Sequence, residues 1–138
     1  MIALDTNALV RVLIEDDKNQ AFAVQNIINF ADKNSIQILL LSEVLIETVW
    51  VLESNYRCTK EEISQFLEAL IYTPTFTFSD YQSVRRCVYQ YKKDGDFADL
   101  LIVNQAIEQH AKKLFSFDKK LQKKFPGLVV EKMSRKDL

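Results

Sequence analysis

Short apolar runs that alternate with segments of helical spacing constrain the fold of this chain most strongly. Residues 1–4 and 36–41 are two such runs; each is short for a helix and apolar enough for a strand inside a sheet. Residues 19–32 instead repeat their apolar positions three or four apart, which is typical of an amphipathic helix. Strands that alternate with helices predict a parallel sheet covered by helices on both faces. The predicted fold class is therefore a three-layer α/β/α domain.

The alternation runs along the whole chain and predicts a single domain over residues 1–138. Only two glycines and two prolines are present, which disfavours a β-sandwich and favours long helices joined by short connections. The predicted strands are residues 1–4, 36–41, 75–78, 113–117 and 128–130. The predicted helices are residues 7–14, 19–32, 43–56, a segment between Thr59 and Pro74, 80–93, 97–111 and a short one that ends near 124. Residues 131–138 are expected to form a frayed tail.

Charge is distributed unevenly, although the net charge is only −1. Residues 1–111 carry 9 basic and 16 acidic side chains, whereas residues 112–138 carry 9 basic and 3 acidic ones. A basic C-terminal part can contact a polyanion. The alternative is that its lysines simply form a solvated surface.

Neither the cysteines nor the apolar runs indicate a secreted or membrane protein. Cys58 and Cys87 are isolated and have no zinc-site or disulfide spacing, so a reducing cytoplasm is the expected compartment. No apolar run reaches the roughly 18 residues that a membrane span needs. The N-terminus lacks the basic and apolar pattern of a signal peptide.

Acidic side chains follow the predicted strands at the edge where parallel sheets bind ligands. Asp5 follows the first strand and Asp118 follows residues 113–117. Glu47 and Asp99 belong to helices that leave the same edge. If these four carboxylates converge, they cannot all ionise without a neutralising group, and a hard divalent cation such as Mg²⁺ or Mn²⁺ fits best. We therefore predict one metal site suited to phosphodiester hydrolysis.

All of these acids except Glu47 also have a purely structural explanation. Asp5, Asp96 and Asp118 all precede predicted helices and could act as N-caps, with Asp96 and Asp99 at capping-box spacing. Glu47 lies in the apolar stretch 44–52, where we expect a carboxylate to be costly unless it has a partner.

Three polar neighbours could support the metal site. Thr6 and Asn7, next to Asp5, could hold the ligands or a scissile phosphate by hydrogen bonds, and Ser116 could do so from its strand. Zinc is disfavoured because His110 is the only histidine and neither cysteine has a suitable partner.

Four motifs in this order resemble the PIN-domain nucleases, and VapC-type toxins of bacterial toxin–antitoxin pairs in particular. They are Leu-Asp-Thr-Asn at 4–7, Ser-Glu-Val-Leu-Ile-Glu-Thr-Val-Trp-Val-Leu at 42–52, Asp-Phe-Ala-Asp-Leu-Leu-Ile at 96–102 and Ser-Phe-Asp-Lys-Lys-Leu at 116–121. The resemblance implies a central sheet of four to five parallel strands and Mg²⁺- or Mn²⁺-dependent endoribonuclease activity. It also implies a homodimer and an antitoxin partner whose C-terminal segment blocks the active-site groove.

The resemblance also implies roles for individual residues. Asp5, Glu47 and Asp99 match the first three acids of the family, with Asp96 as an accessory acid that helps to hold the metal. Asp118 matches the fourth acid, which often acts through water. Ser116 stands where threonine is common and keeps the hydroxyl group.

Two other functions remain open from the sequence. A phosphoryl-transfer domain could use Asp5 as a nucleophile, but it usually needs a second acid two residues later, where this chain has Asn7. A non-catalytic domain that binds RNA or a protein partner would keep the fold and the basic C-terminal part but would have no use for four acids.

Overall fold

The computed structural model describes residues 1–137 and contains short parallel strands connected by helices. The strands are β1 (Ile2–Ala3), β2 (Ile38–Leu40), β3 (Phe76–Phe78), β4 (Leu114–Phe115) and β5 (Val129–Val130). The helices are α1 (Thr6–Leu13), α2 (Lys18–Lys33), α3 (Ser42–Ser54), α4 (Lys60–Ile71), α5 (Tyr81–Lys93), α6 (Phe97–Glu108) and α7 (Lys119–Lys124). A 3₁₀ turn at Arg135–Asp137 occupies part of the expected frayed tail, and Leu138 lies outside the described residues.

The strands pair in parallel, as predicted, but they do not form one continuous sheet of four to five strands. In the described residues, β1, β2 and β3 form one sheet in that order, and β4 pairs only with β5. The expected strand 113–117 shrinks to two residues because Ser116 begins a turn. Its backbone N–H still bonds Val130 O at 2.9 Å, but its hydroxyl accepts a hydrogen bond from the N–H of Asp118 at 3.1 Å. Strands this short offer few backbone hydrogen bonds to a neighbouring strand. The prediction of one sheet of four to five strands was wrong.

The main hydrophobic core lies between the three-stranded sheet and helices α1 and α3–α6. Its fully buried side chains include Leu40 of β2, Leu45 of α3, Ile63 of α4, Tyr91 of α5 and Leu101 of α6. Burying each leucine or isoleucine stabilises the fold by about 1.5–3 kcal/mol. A smaller cluster of Val103, Leu121 and Val129 attaches β4, β5 and α7 to α6. The short strand β4 is thus held in place mainly by packing.

Polar side chains cap the start of almost every α-helix in residues 1–137. Thr59 and Glu62 form the capping box of α4, as the sequence predicts. Helix α3 is the exception: its N-cap residue is Leu41, whose apolar side chain cannot accept a hydrogen bond, and the N–H of Ser42 donates instead to Ser79 Oγ at 3.0 Å. None of the helices described has the length and apolar character that a membrane span requires.

Candidate functional site

Asp5 has a structural role and faces a cleft with Glu47. It is the N-cap of α1, where its Oδ1 accepts a hydrogen bond from the N–H of Ala8 at 3.0 Å. A cap of this kind uses one carboxylate oxygen and leaves the second able to bind another group. The cleft, of about 300 Å³, is called here the Asp5 cleft. It is lined by Asp5, Thr6, Asn7, Glu43, Val44 and Glu47.

Glu47 is exposed, although it lies in an apolar stretch of sequence. Its neighbours Thr48 and Val49 point into the protein and are buried, while Glu47 occupies the opposite face of α3. Glu47 is therefore not the buried carboxylate that the sequence predicted, and its charge needs no partner inside the protein. Its position matters for another reason: it shares the Asp5 cleft with the first acid.

The other three predicted site acids lie together in a second cleft, which Asp94 also lines. Asp96 caps α6 by accepting a hydrogen bond from the N–H of Asp99 at 3.0 Å, and Asp118 caps α7 by accepting one from the N–H of Leu121 at 3.0 Å. Ser116 helps to fix the turn at Asp118 through the hydrogen bond to its N–H. The cleft has a volume of about 660 Å³ and is called here the acid–lysine cleft. It is lined by Lys60, Asp94, Gly95, Asp96, Asp99, Leu100, Asp118, Lys120, Leu121, Lys123 and Lys124.

Asp99 is the electrostatically perturbed acid of this cleft. Partial burial raises the pKa of its carboxyl group, and the charges of Asp96 and Asp118 raise it further. The carboxylates of Asp96 and Asp118 are therefore near enough to repel the charge of Asp99. A bound cation would relieve this repulsion.

A third cleft connects the two groups of acids. Its volume is about 330 Å³, and it is lined by Ile46, Glu47, Val49, Trp50, Glu53, Asp96, Phe97 and Ala98. Glu47 thus borders this cleft and the Asp5 cleft, and Asp96 borders it and the acid–lysine cleft. The structure places the predicted acids along three adjoining clefts, with Asp5 at one end and Asp118 at the other.

The acids do not form a ready-made cage of ligands. Within residues 1–137, no three carboxylate, imidazole or thiol side chains are arranged as direct ligands of one metal ion. Mg²⁺ keeps several of its waters and is usually held by one or two carboxylates, so it does not require such a cage. The all-oxygen donors and the raised pKa of Asp99 therefore fit a hard divalent cation held partly through water.

Lys60, on the wall of the acid–lysine cleft, was missed by sequence reasoning. Lys60 starts α4, far from the acids in sequence, and its Nζ lies 3.5 Å from the centroid of the Tyr91 ring and donates to Gly95 O at 2.8 Å. Partial burial lowers the pKa of Lys60. No local pattern links Lys60 to Asp96, whereas the lysines of α7 could be found only as part of a basic segment.

Comparison with known proteins supports the family suggested by the four motifs. A VapC ribonuclease from Aquifex aeolicus (strain VF5) is 24% identical over 124 residues, which cover 89% of this chain and 91% of the relative. No solved structure matches the chain significantly. The family model of the PIN domain matches residues 2–126, a range that includes every acid of the three clefts. The chain therefore belongs to the PIN domain family.

Proposed function

We propose that this protein is an Mg²⁺- or Mn²⁺-dependent endoribonuclease that acts as the toxin of a toxin–antitoxin pair. The observation that carries the proposal is the shared cleft of Asp96, Asp99 and Asp118, in which partial burial, and then the charges of Asp96 and Asp118, raise the pKa of Asp99. Membership in the PIN domain family and similarity to a protein named VapC ribonuclease support RNA as the substrate. The acids number more than a protein that only binds RNA would need.

The proposed metal ligands are Asp5, Glu47, Asp96 and Asp99. A divalent cation bound there would activate a water molecule and neutralise charge on the phosphate. Asp118 is proposed to act through water: its Oδ1 is occupied by the N–H of Leu121, which leaves Oδ2 to accept a hydrogen bond from the attacking water.

Three polar residues next to the acids, Thr6, Asn7 and Ser116, would support this chemistry. The hydroxyl group of Ser116 fixes the backbone at Asp118. Thr6 is buried and Asn7 is exposed directly after Asp5, so Asn7 would hydrogen-bond a substrate phosphate and Thr6 would help to hold Asp5.

The proposal extends to partners, compartment and domain organisation. We expect one functional unit over residues 1–138, a cytoplasmic location, a homodimer and a cognate antitoxin protein. Large apolar side chains on the surface support contacts with other proteins: Trp50 is 60% exposed, Phe22 68% and Phe30 61%.

The test compares the wild type with Asp5→Asn on a mixed set of RNAs in Mg²⁺, Mn²⁺ or EDTA. Asparagine caps a helix as well as aspartate does, so α1 should remain intact while the charge is lost. The matched control is Asp17→Asn, because Asp17 caps α2 in the same way, with Oδ1 3.0 Å from the N of Gln20, but borders none of the three clefts.

We expect metal-dependent cleavage by the wild type and the control and none by Asp5→Asn. Cleavage that survives both EDTA and Asp5→Asn would contradict the proposal. Binding of RNA without cleavage by the wild type would favour the non-catalytic alternative.

A further inference from the structure

We propose that Lys120 and Lys123 of α7 bind the sugar–phosphate backbone of the RNA substrate next to the acids. This inference rests on the proposed function, since it names the surface by which the substrate approaches that site. Both lysines are exposed and line the acid–lysine cleft together with Asp96, Asp99 and Asp118. They lie three residues apart, so their side chains are neighbours on one face of the helix.

The other lysines of this cleft and of α7 are occupied by contacts within the protein. Lys124 donates to Asp94 O at 2.8 Å, Lys60 donates to Gly95 O, and Lys119 pairs with Glu131. In the part of the chain that the structure describes, Lys120 and Lys123 have no ion pair or hydrogen bond of their own. Their charges are therefore available to an external anion without loss of an internal contact.

Electrostatics favours RNA as that anion. A polyanion must approach Asp96, Asp99 and Asp118, and these carboxylates repel it. Lys120 and Lys123 lie on the same wall of the cleft. Their positive charges offset this repulsion where the RNA enters the site. Mobile lysines contact phosphates without reading bases, so the contact should strengthen binding to all sequences equally.

The experiment measures the salt dependence of binding to a fluorescent single-stranded RNA. The starting protein is Asp99→Asn in EDTA and monovalent salt, conditions in which the proposed mechanism allows no cleavage, and the test variant adds Lys120→Gln with Lys123→Gln. The matched control adds Lys18→Gln with Lys33→Gln instead. These are two exposed lysines of α2 that border none of the clefts, and their loss changes the net charge equally.

Each phosphate contact on a single strand contributes about 0.7 to the slope of log affinity against log salt, so loss of two contacts should reduce the slope by about 1.4. When the salt concentration rises from about 50 to 200 mM, affinity falls in both proteins. The factor by which it falls should be about 7 times smaller in the test variant than in its parent. The control should keep the slope of the parent. Lys120→Arg with Lys123→Arg should restore it, because arginine keeps the charge.

An unchanged slope in the test variant would overturn the inference even if the wild type cleaves RNA. The inference would also be overturned if RNA binding were unchanged while affinity for poly-glutamate fell, since the surface would then serve an acidic protein segment. Another outcome is that the wild type cleaves no RNA while the lysine variant still shows a reduced salt slope. That result would support the inference and refute the proposed nuclease activity. The two proposals can thus fail separately.

Discussion

Asp99→Asn should make the protein more stable and less active at the same time. The carboxyl group of Asp99 is partly buried, and the charges of Asp96 and Asp118 repel its own charge; both effects raise its pKa. Because the side chain is partly exposed, solvent screens the repulsion, and its removal should contribute only about 0.2–1 kcal/mol to the free energy of unfolding. For a domain of this size that corresponds to a Tm increase of about 1–5 °C. Because Asp99 is also a proposed metal ligand, its replacement should reduce RNA cleavage by about 100-fold.

The pH dependence gives the sign of this effect. A carboxyl group whose pKa is raised in the folded state binds its proton more tightly there than in the unfolded chain. Ionisation therefore destabilises the fold as the pH rises from the ordinary value of aspartate through the raised one. The Tm difference between Asp99→Asn and the wild type should be near zero below that window and should grow across it. Thermal unfolding followed by circular dichroism in metal-free buffer at several pH values measures this difference.

Asp94→Asn is the control for this experiment. Asp94 belongs to the same cleft, but its Oδ2 lies 3.5 Å from Nζ of Lys124, so its charge is attracted rather than repelled. Its replacement should leave Tm unchanged or slightly lower. A lower Tm for Asp99→Asn at pH 7, or a Tm difference that does not vary with pH, would refute the electrostatic reasoning. Added Mg²⁺ should raise the Tm of the wild type and not that of Asp99→Asn.

Three further changes test other parts of the structure. Thr59→Ala removes a helix cap and should lower the free energy of unfolding by about 1 kcal/mol in urea denaturation, whereas Thr59→Ser should not. Gly95→Ala should destabilise by at least about 1 kcal/mol in the same assay, because residue 95 has a φ of +116°, which an L side chain rarely adopts. An unchanged midpoint would contradict either expectation. Ser116→Ala should slow RNA cleavage with little change in Tm, because Asp118 would lose the hydroxyl that fixes its turn, and Ser116→Thr should retain the rate. Equal rates of RNA cleavage by Ser116→Ala and Ser116→Thr would exclude that role of the hydroxyl group.

Local features were predictable from the sequence, and pairings between distant segments were not. The capping box of α4 depends on residues three apart, so Thr59 and Glu62 could be recognised directly. The pairing of β4 with β5 alone depends on how α7 and α6 pack around Leu121, which no short pattern encodes. For the same reason the sequence predicted a sheet that was too large.

The candidate site shows the same division. Acids that follow strands could be predicted from the rule that ligands bind at the carboxyl ends of parallel strands. The exposure of Glu47 could not, because the apolar neighbours that suggested burial occupy other faces of α3. Lys60 enters the cleft only through the packing of α4 against α5, where its ammonium group lies over Tyr91.

The double role of Asp5, Asp96 and Asp118 as helix caps and candidate site acids has a genetic consequence. Every aspartate codon becomes an asparagine codon by a single G-to-A change at its first base, and asparagine caps a helix equally well. One point mutation at any of these positions can therefore remove a charge from the site while the protein still folds, accumulates and presents its outer surfaces. Selection against the proposed activity would therefore need only one base change to give a folded, inactive variant. Such a variant would compete with the active form for any protein that binds it.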